Sequence, residues 1–143
     1  MKQEDKELLL KDLCARLPYK LKVHIKGDYF YDEREPYDTT LKSEILGHFI
    51  HLDNTKYSVK PYLRSISSMA EEEKHELYQV FQECPTIIKI FPAYAEFFIY
   101  ADIINSIDMV NVIDWLNAHC FDYRGLIGKG LALEAPEGMY NLK

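Results

Sequence analysis

The run Tyr19-Lys-Leu-Lys-Val-His-Ile-Lys26 decides the fold, because its apolar and polar residues alternate without a break until Gly27. Successive side chains of a β-strand point to opposite faces, so Leu21, Val23 and Ile25 go to one side and Lys20, Lys22, His24 and Lys26 to the other. A strand with one apolar and one charged side belongs to a sheet with one buried and one solvated face, the usual antiparallel arrangement. Upstream, residues 6–17 space Leu9, Leu10, Leu13 and Leu17 by three and four, with acids early, Arg16 late and Pro18 after them. That pattern predicts an amphipathic helix. Downstream, residues 57–64 alternate again, Tyr57, Val59 and Leu63 against Ser58, Lys60, Tyr62 and Arg64, and Pro61 favours an edge position. Between these strands, residues 41–52 regain β character with a bulge or kink at Gly47, and residues 53–56 form a turn. Three consecutive strands predict an α+β fold, an antiparallel three- to four-stranded meander packed on one face by three or more helices.

The remaining segments are assigned around that sheet. Residues 28–40, DYFYDEREPYDTT, mix acids, aromatics and Pro36 without a period and read as a loop or irregular connection. Ser68-Met-Ala-Glu71 has capping-box spacing and opens a helix whose apolar stripe is Leu77, Val80 and Phe81, ending at Cys84-Pro85. Residues 86–105 are apolar on nearly every side, which predicts a short strand to Phe91 and then a helical or irregular buried stretch carrying Tyr94, Phe97, Phe98 and Ala101. Ser106 caps a helix over residues 107–119 with Asp108 in its first turn and Val110, Ile113 and Leu116 toward the core. The tail contributes a short strand at residues 131–133 and a turn at residues 135–138.

At 143 residues the chain suits a single domain spanning 1–143. Its N-terminus, MKQEDKE, has charges of both signs and no long apolar run, which predicts a cytoplasmic protein. The most apolar stretch, around residues 97–101, is interrupted by Glu96 and Asp102 and falls short of the roughly 20 residues that span a bilayer, so no membrane partner is expected. Cys14, Cys84 and Cys120 are widely spaced and odd in number, which fits reduced thiols; Cys14 and Cys120 are expected to be buried. The formal charge of −6 is uneven: residues 1–68 hold twelve Lys and Arg against eleven Asp and Glu, residues 69–143 five against twelve. Such a chain does not coat nucleic acid wholesale, but a local basic face remains open to it, and the acidic half invites comparison with a nucleic-acid mimic.

Residues 115–130, WLNAHCFDYRGLIGKG, gather the densest set of polar groups. His119 as base, Asp122 as its orienter and Arg124 as an anion holder would make a minimal hydrolase or transferase site. The competing structural reading is a helix end with His119 on the dipole and an Asp122–Arg124 brace. Gly125-Leu-Ile-Gly-Lys-Gly130 fails the phosphate-loop pattern, which needs four residues before its Gly-Lys and a Ser or Thr after it, so no cofactor is expected there. His24, His48, His51, His75 and His119 lack metal-ligand spacing; His48 and His51, three apart in the expected strand, point to opposite faces unless the Gly47 bulge intervenes, and no metal is expected.

Two binding surfaces complete the reading. Lys22, His24 and Lys26 on one strand with Lys60, Tyr62 and Arg64 on another form a basic sheet face with an aromatic, as in binders of single-stranded nucleic acid, although Glu44 between them weakens its field. A lysine-rich strand that resists edge pairing is the plainer alternative. Tyr29, Phe30, Tyr31 and Tyr37 make an aromatic loop suited to a protein partner, or fold back as a lid on the core.

The runs YDTTLKSEI, KPYLRSISSMAEEE and WLNAHCFDYRGLIGKGLALEAPEGMY resemble a group of small uncharacterised proteins encoded by Bacteroides-type gut bacteria, their phages and mobile elements. The resemblance is most specific at the tail and implies a setting, the cytoplasm of an anaerobic bacterium, with no activity or catalytic residue attached. The leading expectation is a non-enzymatic accessory protein that binds an unidentified protein partner. Nucleic acid is the alternative partner, and oligomeric state is not legible.

Overall fold

The computed structural model describes residues 1–27, 35–51, 57–80, 87–91, 96–100 and 106–140. In chain order its helices are α1 (Gln3–Arg16), α2 (Ser43–His51), α3 (Glu71–Val80) and α4 (Ser106–Ala118). The strands are β1 (Lys22–Lys26), β2 (Tyr37–Thr40), β3 (Ser58–Leu63), β4 (Ile87–Phe91), β5 (Glu96–Tyr100) and β6 (Leu133–Glu134). They form two compact units, Met1–Leu63 with Arg124–Asn141, and Arg64–Tyr123.

The first unit is a four-stranded mixed sheet in the order β2-β1-β3-β6, antiparallel except for the parallel pair β3 and β6. β1 is central, flanked by β2 and β3, where a meander in chain order would place the second strand between the other two. The alternation in β1 and β3 has the expected phase: Leu21, Val23, Ile25, Val59 and Leu63 are buried, while Lys22, His24, Lys60 and Tyr62 are half-buried on the other side. Full burial of each aliphatic side chain contributes about 1.5–3 kcal/mol before ordering costs.

Residues 43–51 are a helix and not the expected strand. Ile45, Leu46 and Phe49 fall on one helical face and are all buried, and Gly47 lies inside the helix with no bulge. His48 and His51 accordingly lie one turn apart, and the His48 ring meets the Tyr57 ring edge-on at 5.9 Å. Glu44 lies in the first turn of α2 and not on a strand. In α1, Leu9 and Leu13 are buried as expected, but so are Asp12 and Arg16, while Cys14 is exposed. Cys14 follows Leu13 by one residue, about 100° around the helix, and so leaves the buried face.

Asp12 explains the buried charge. Its Oδ2 accepts a hydrogen bond from Arg16 Nε at 2.8 Å one turn along α1, and its Oδ1 pairs with Arg124 Nε at 3.3 Å. The glycine run that follows Arg124 closes a single helical turn: Gly130 N–H donates to Ile127 and Leu131 N–H to Leu126, with Gly130 at φ 74°. That is a Schellman closure, which needs a left-handed residue and so favours glycine.

In the second unit β4 and β5 pair antiparallel, from Ile87 opposite Tyr100 to Phe91 opposite Glu96. The expected helical or irregular stretch is a strand at residues 96–100, whose Phe97, Phe98, Ile99 and Tyr100 are strand-favouring types; Tyr94 and Ala101 lie outside the described residues. α3 starts later than the Ser68 box predicts. The Glu73 carboxylate accepts from Ala70 N–H at 3.1 Å, the reach-back half of a capping box set two residues downstream, while Ser68 Oγ donates to the Ser65 carbonyl. Phe81 and Cys84 lie outside the described residues.

The core of this unit is Ile66, Met69, Leu77, Val112, Trp115, Leu116 and Phe121. Val110, expected inward, is exposed, because the face of α4 that carries Val112, Trp115 and Leu116 faces the core. α4 ends in a second Schellman closure, with Cys120 N–H donating to Asn117 and Phe121 N–H to Leu116. Its left-handed position, usually glycine, is taken by buried Cys120 at φ 60°. No helix among the described residues is long and apolar enough to cross a membrane.

Candidate nucleic-acid interface

The solvated side of the first unit's sheet is built by strand alternation and register. Across the ladder, His24 stands opposite Asp38 on β2 and opposite Lys60 on β3, while Lys22 stands opposite Thr40. Lys22, His24, Lys26, Ser58, Lys60 and Tyr62 therefore project to one side together with Asp38 and Thr40. Lys22 Nζ donates to Thr40 Oγ1 at 2.9 Å. Lys26 is exposed, and neither it nor Lys60 has a carboxylate within ion-pair distance among the described residues.

One carboxylate organises the centre of this face. Asp38 Oδ1 lies 2.8 Å from His24 Nδ1 and accepts from the Tyr62 hydroxyl at 2.9 Å. The hydrogen bond from His24, then that from Tyr62, holds the Asp38 carboxyl below its ordinary range against a small opposing effect of burial. Burial pushes the Tyr62 hydroxyl up, and donation to Asp38 adds to the shift. An ionised carboxylate only accepts, so the proton of the His24–Asp38 bond sits on Nδ1 and the second ring nitrogen, Nε2, is the acceptor of the neutral ring. The Tyr62 and His24 rings meet edge-on at 6.3 Å. The imidazole is thus held from two sides although its side chain stays 31% exposed.

Tyr140 fastens the sheet beneath this face. Its hydroxyl accepts from Lys22 N–H at 2.9 Å and donates to the Tyr62 carbonyl at 2.7 Å. It fills the place where the β1–β3 ladder would otherwise lose a backbone pair. Neither Asp38 nor Tyr140 was singled out in the sequence. Asp38 becomes visible only once the β1–β2 register is known, and Tyr140 lies more than a hundred residues from its partner Lys22.

The other candidate residues separate. Tyr37 is half-buried on β2 opposite Ile25, on the core side of the sheet, and Tyr29, Phe30 and Tyr31 lie outside the described residues. The Arg64 guanidinium is engaged inside the second unit: NH2 and NH1 donate to the two Glu73 oxygens at 2.6 and 2.7 Å, and its carbon lies 4.2 Å above the Phe121 ring. Burial pushes the Glu73 carboxyl up, but the Arg64 hydrogen bonds, with those from Ala70 N–H and the neighbouring charges, outweigh it and hold Glu73 below the usual carboxylate range.

His119 and Asp122 belong to the second unit and Arg124 to the first. His119 Nδ1 lies 2.9 Å from the Trp115 carbonyl, and its ring stacks on Trp115 at 3.9 Å. Trp115 in turn stacks with Phe121 at 5.8 Å. Asp122 is buried, and its N–H donates to the Arg64 carbonyl. In the resulting column Phe121 and Trp115 belong to the core, and Arg64 and His119 are half-buried at its two ends.

Charge is divided between the units. The first holds thirteen Lys and Arg against thirteen Asp and Glu, whereas Arg64–Tyr123 holds three against ten. Among the described residues no group of three His, Cys, Asp or Glu side chains is placed to hold a metal ion. Compared with known proteins, the chain matches no family model, no curated protein and no solved structure.

Proposed function

We propose that the first unit is a platform for single-stranded nucleic acid, with Lys22, Lys26 and Lys60 on phosphates and Tyr62 and His24 offering ring faces and edges to bases. The observation that carries this reading is the register, which puts three lysines, an imidazole and a tyrosine on adjacent strands of one solvated sheet face. Neighbouring strands lie about 4.8 Å apart, so cations on them act on the same short stretch of backbone. A sheet face with aromatics among its cations suits unstacked bases better than it suits a duplex groove. The accessory role through a protein partner on Tyr29, Phe30, Tyr31 and Tyr37 keeps its support in the resemblance and draws none from this face.

Fluorescence anisotropy with a labelled single-stranded oligonucleotide tests the reading. Three phosphate contacts predict a slope of log K against log salt near −2, from about −0.7 per contact for single strands. Lys26→Glu and Lys60→Glu should each weaken binding about tenfold at low salt. Absence of saturable binding at low salt, or affinity unchanged in both variants, would end it.

A further inference from the structure

We propose that the same face cleaves the RNA it binds, with His24 as general base on a ribose 2′-hydroxyl and Lys60 as the acid for the leaving oxygen. This rests on the binding reading above and adds a reaction to it.

The argument starts from what an ordinary solvated strand does not need. An outward imidazole on such a strand is free to choose its tautomer and rotamer. His24 is instead held at Nδ1 by Asp38 at 2.8 Å, and the same carboxylate oxygen is held by Tyr62 at 2.9 Å. Fixing one ring nitrogen as donor dedicates the other, Nε2, as a proton acceptor, the arrangement that general-base catalysis requires. The strand register then supplies the second group, because Lys60 stands directly opposite His24 on the other side from Asp38. Directly opposite residues have Cβ atoms about 4.5–5.5 Å apart, so a base and an ammonium reach one phosphodiester together.

The reaction balances without a further reagent. Nε2 of His24 takes the 2′-hydroxyl proton, and the 2′-oxygen forms a bond to the adjacent phosphorus. The bond from phosphorus to the 5′-oxygen breaks, and the Lys60 ammonium gives its proton to that oxygen. The products are a 2′,3′-cyclic phosphate and a 5′-hydroxyl. Imidazolium then returns its proton through solvent to the Lys60 amine, restoring both groups. Lys22 and Lys26 hold flanking phosphates, and Asp38 is a positioning residue that keeps the imidazole aimed.

The test uses the full chain with an end-labelled single-stranded RNA and a DNA of the same sequence, separated on a denaturing gel after anisotropy has shown that both bind. RNA cut to fragments ending in 2′,3′-cyclic phosphate, with DNA bound and uncut, is the expected result. His24→Gln keeps a donor for Asp38 and, compared at saturating protein so that a change in affinity drops out, should lose cleavage of bound RNA by at least about 100-fold, the usual worth of a general base. Asp38→Asn should lower kcat about tenfold and leave KM within about twofold, a split that mere loosening of the sheet does not produce. RNA that is bound but never cut, equal cutting by His24→Gln prepared in parallel, or equal cutting of DNA overturns the catalytic proposal and leaves the binding reading standing. Failure to bind either oligonucleotide overturns both.

Discussion

Replacing Glu73 by Gln isolates the central charge pair of the second unit. Arg64 and Glu73 form two short charge-assisted bonds, and their side chains are only 19% and 17% exposed. Fully exposed pairs are worth about 0.2–1 kcal/mol, and removing one partner of a fully buried pair costs about 3–5 kcal/mol. The intermediate burial places Glu73→Gln near 2 kcal/mol, because Gln keeps an acceptor for Ala70 N–H but leaves the Arg64 cation over Phe121 without a counter-charge. The chain has a single tryptophan, Trp115, in the same core and stacked with Phe121, so tryptophan fluorescence reads this unit directly. With a urea slope of about 1–1.5 kcal/mol/M, the midpoint should fall by about 1.5 M. The pH dependence follows from the direction of the Glu73 shift. Its carboxyl is held lower folded than unfolded, so the ionised side chain stabilises fully above the unfolded value near 4.3, and that contribution is lost as pH falls through the folded value. The substituted amide does not titrate, so the wild-type advantage should be constant from about pH 8 to 6 and shrink toward pH 3. A midpoint change under about 0.3 M, or an advantage that stays level into acid, would refute the reasoning.

Two further substitutions test the first unit. Gly47→Ala should stabilise by about 0.5–1 kcal/mol in thermal or urea unfolding, because Gly47 lies inside α2, has no left-handed φ, and an added Cβ meets nothing within 4 Å; a loss of stability would contradict the helix. Tyr140→Phe should cost about 1–2 kcal/mol by leaving Lys22 N–H and the Tyr62 carbonyl without their shared partner, and hydrogen exchange at Lys22 should quicken. Unchanged exchange there would remove the clamp.

The legible parts of the chain are those where one period fits without repair. β1 alternates strictly, so both its existence and its phase could be read, and with β3 that was enough to place Lys22, His24, Lys60 and Tyr62 on one side. Residues 41–52 misled because Leu41, Ile45, Phe49 and Leu52 are helical in spacing, yet β-favouring neighbours suggested a strand. The bulge that a strand required at Gly47 was the sign of a wrong period. In α4 the spacing 110, 113, 116 and the spacing 112, 115, 116 are both helical stripes. Burial of Trp115, which removes far more apolar surface than Val110, decides between them. The α3 start moved because Glu73 answers two demands, the Ala70 N–H and the Arg64 guanidinium, and the second comes from outside the helix. Asp38 and Tyr140 depend on register and on distant pairing, which no local pattern encodes.

If the sheet face binds nucleic acid as proposed, net charge is a poor guide to it, and salt dependence is where the two separate. At about 0.15 M ionic strength charges interact over about 8 Å, so on the proposed reading an oligonucleotide on the β1–β3 face would sense chiefly the charges of that face, Lys22, Lys26, Lys60 and Asp38. At about 0.01 M the length reaches about 30 Å, and acidic residues away from the sheet face join the interaction in a chain whose formal charge is −6. Counter-ion release strengthens binding as salt falls, while repulsion from the acidic residues grows over the same range. A plot of log K against log salt should therefore run straight from about 0.2 to 0.05 M and flatten below about 0.03 M. Neutralising exposed acids of α1, in the same unit as the sheet, as in Glu4→Gln with Glu7→Gln, should lessen the flattening and leave affinity at 0.15 M unchanged. If those substitutions instead raise affinity equally at every salt, the acidic residues meet the nucleic acid directly and the sheet face is not its whole binding site.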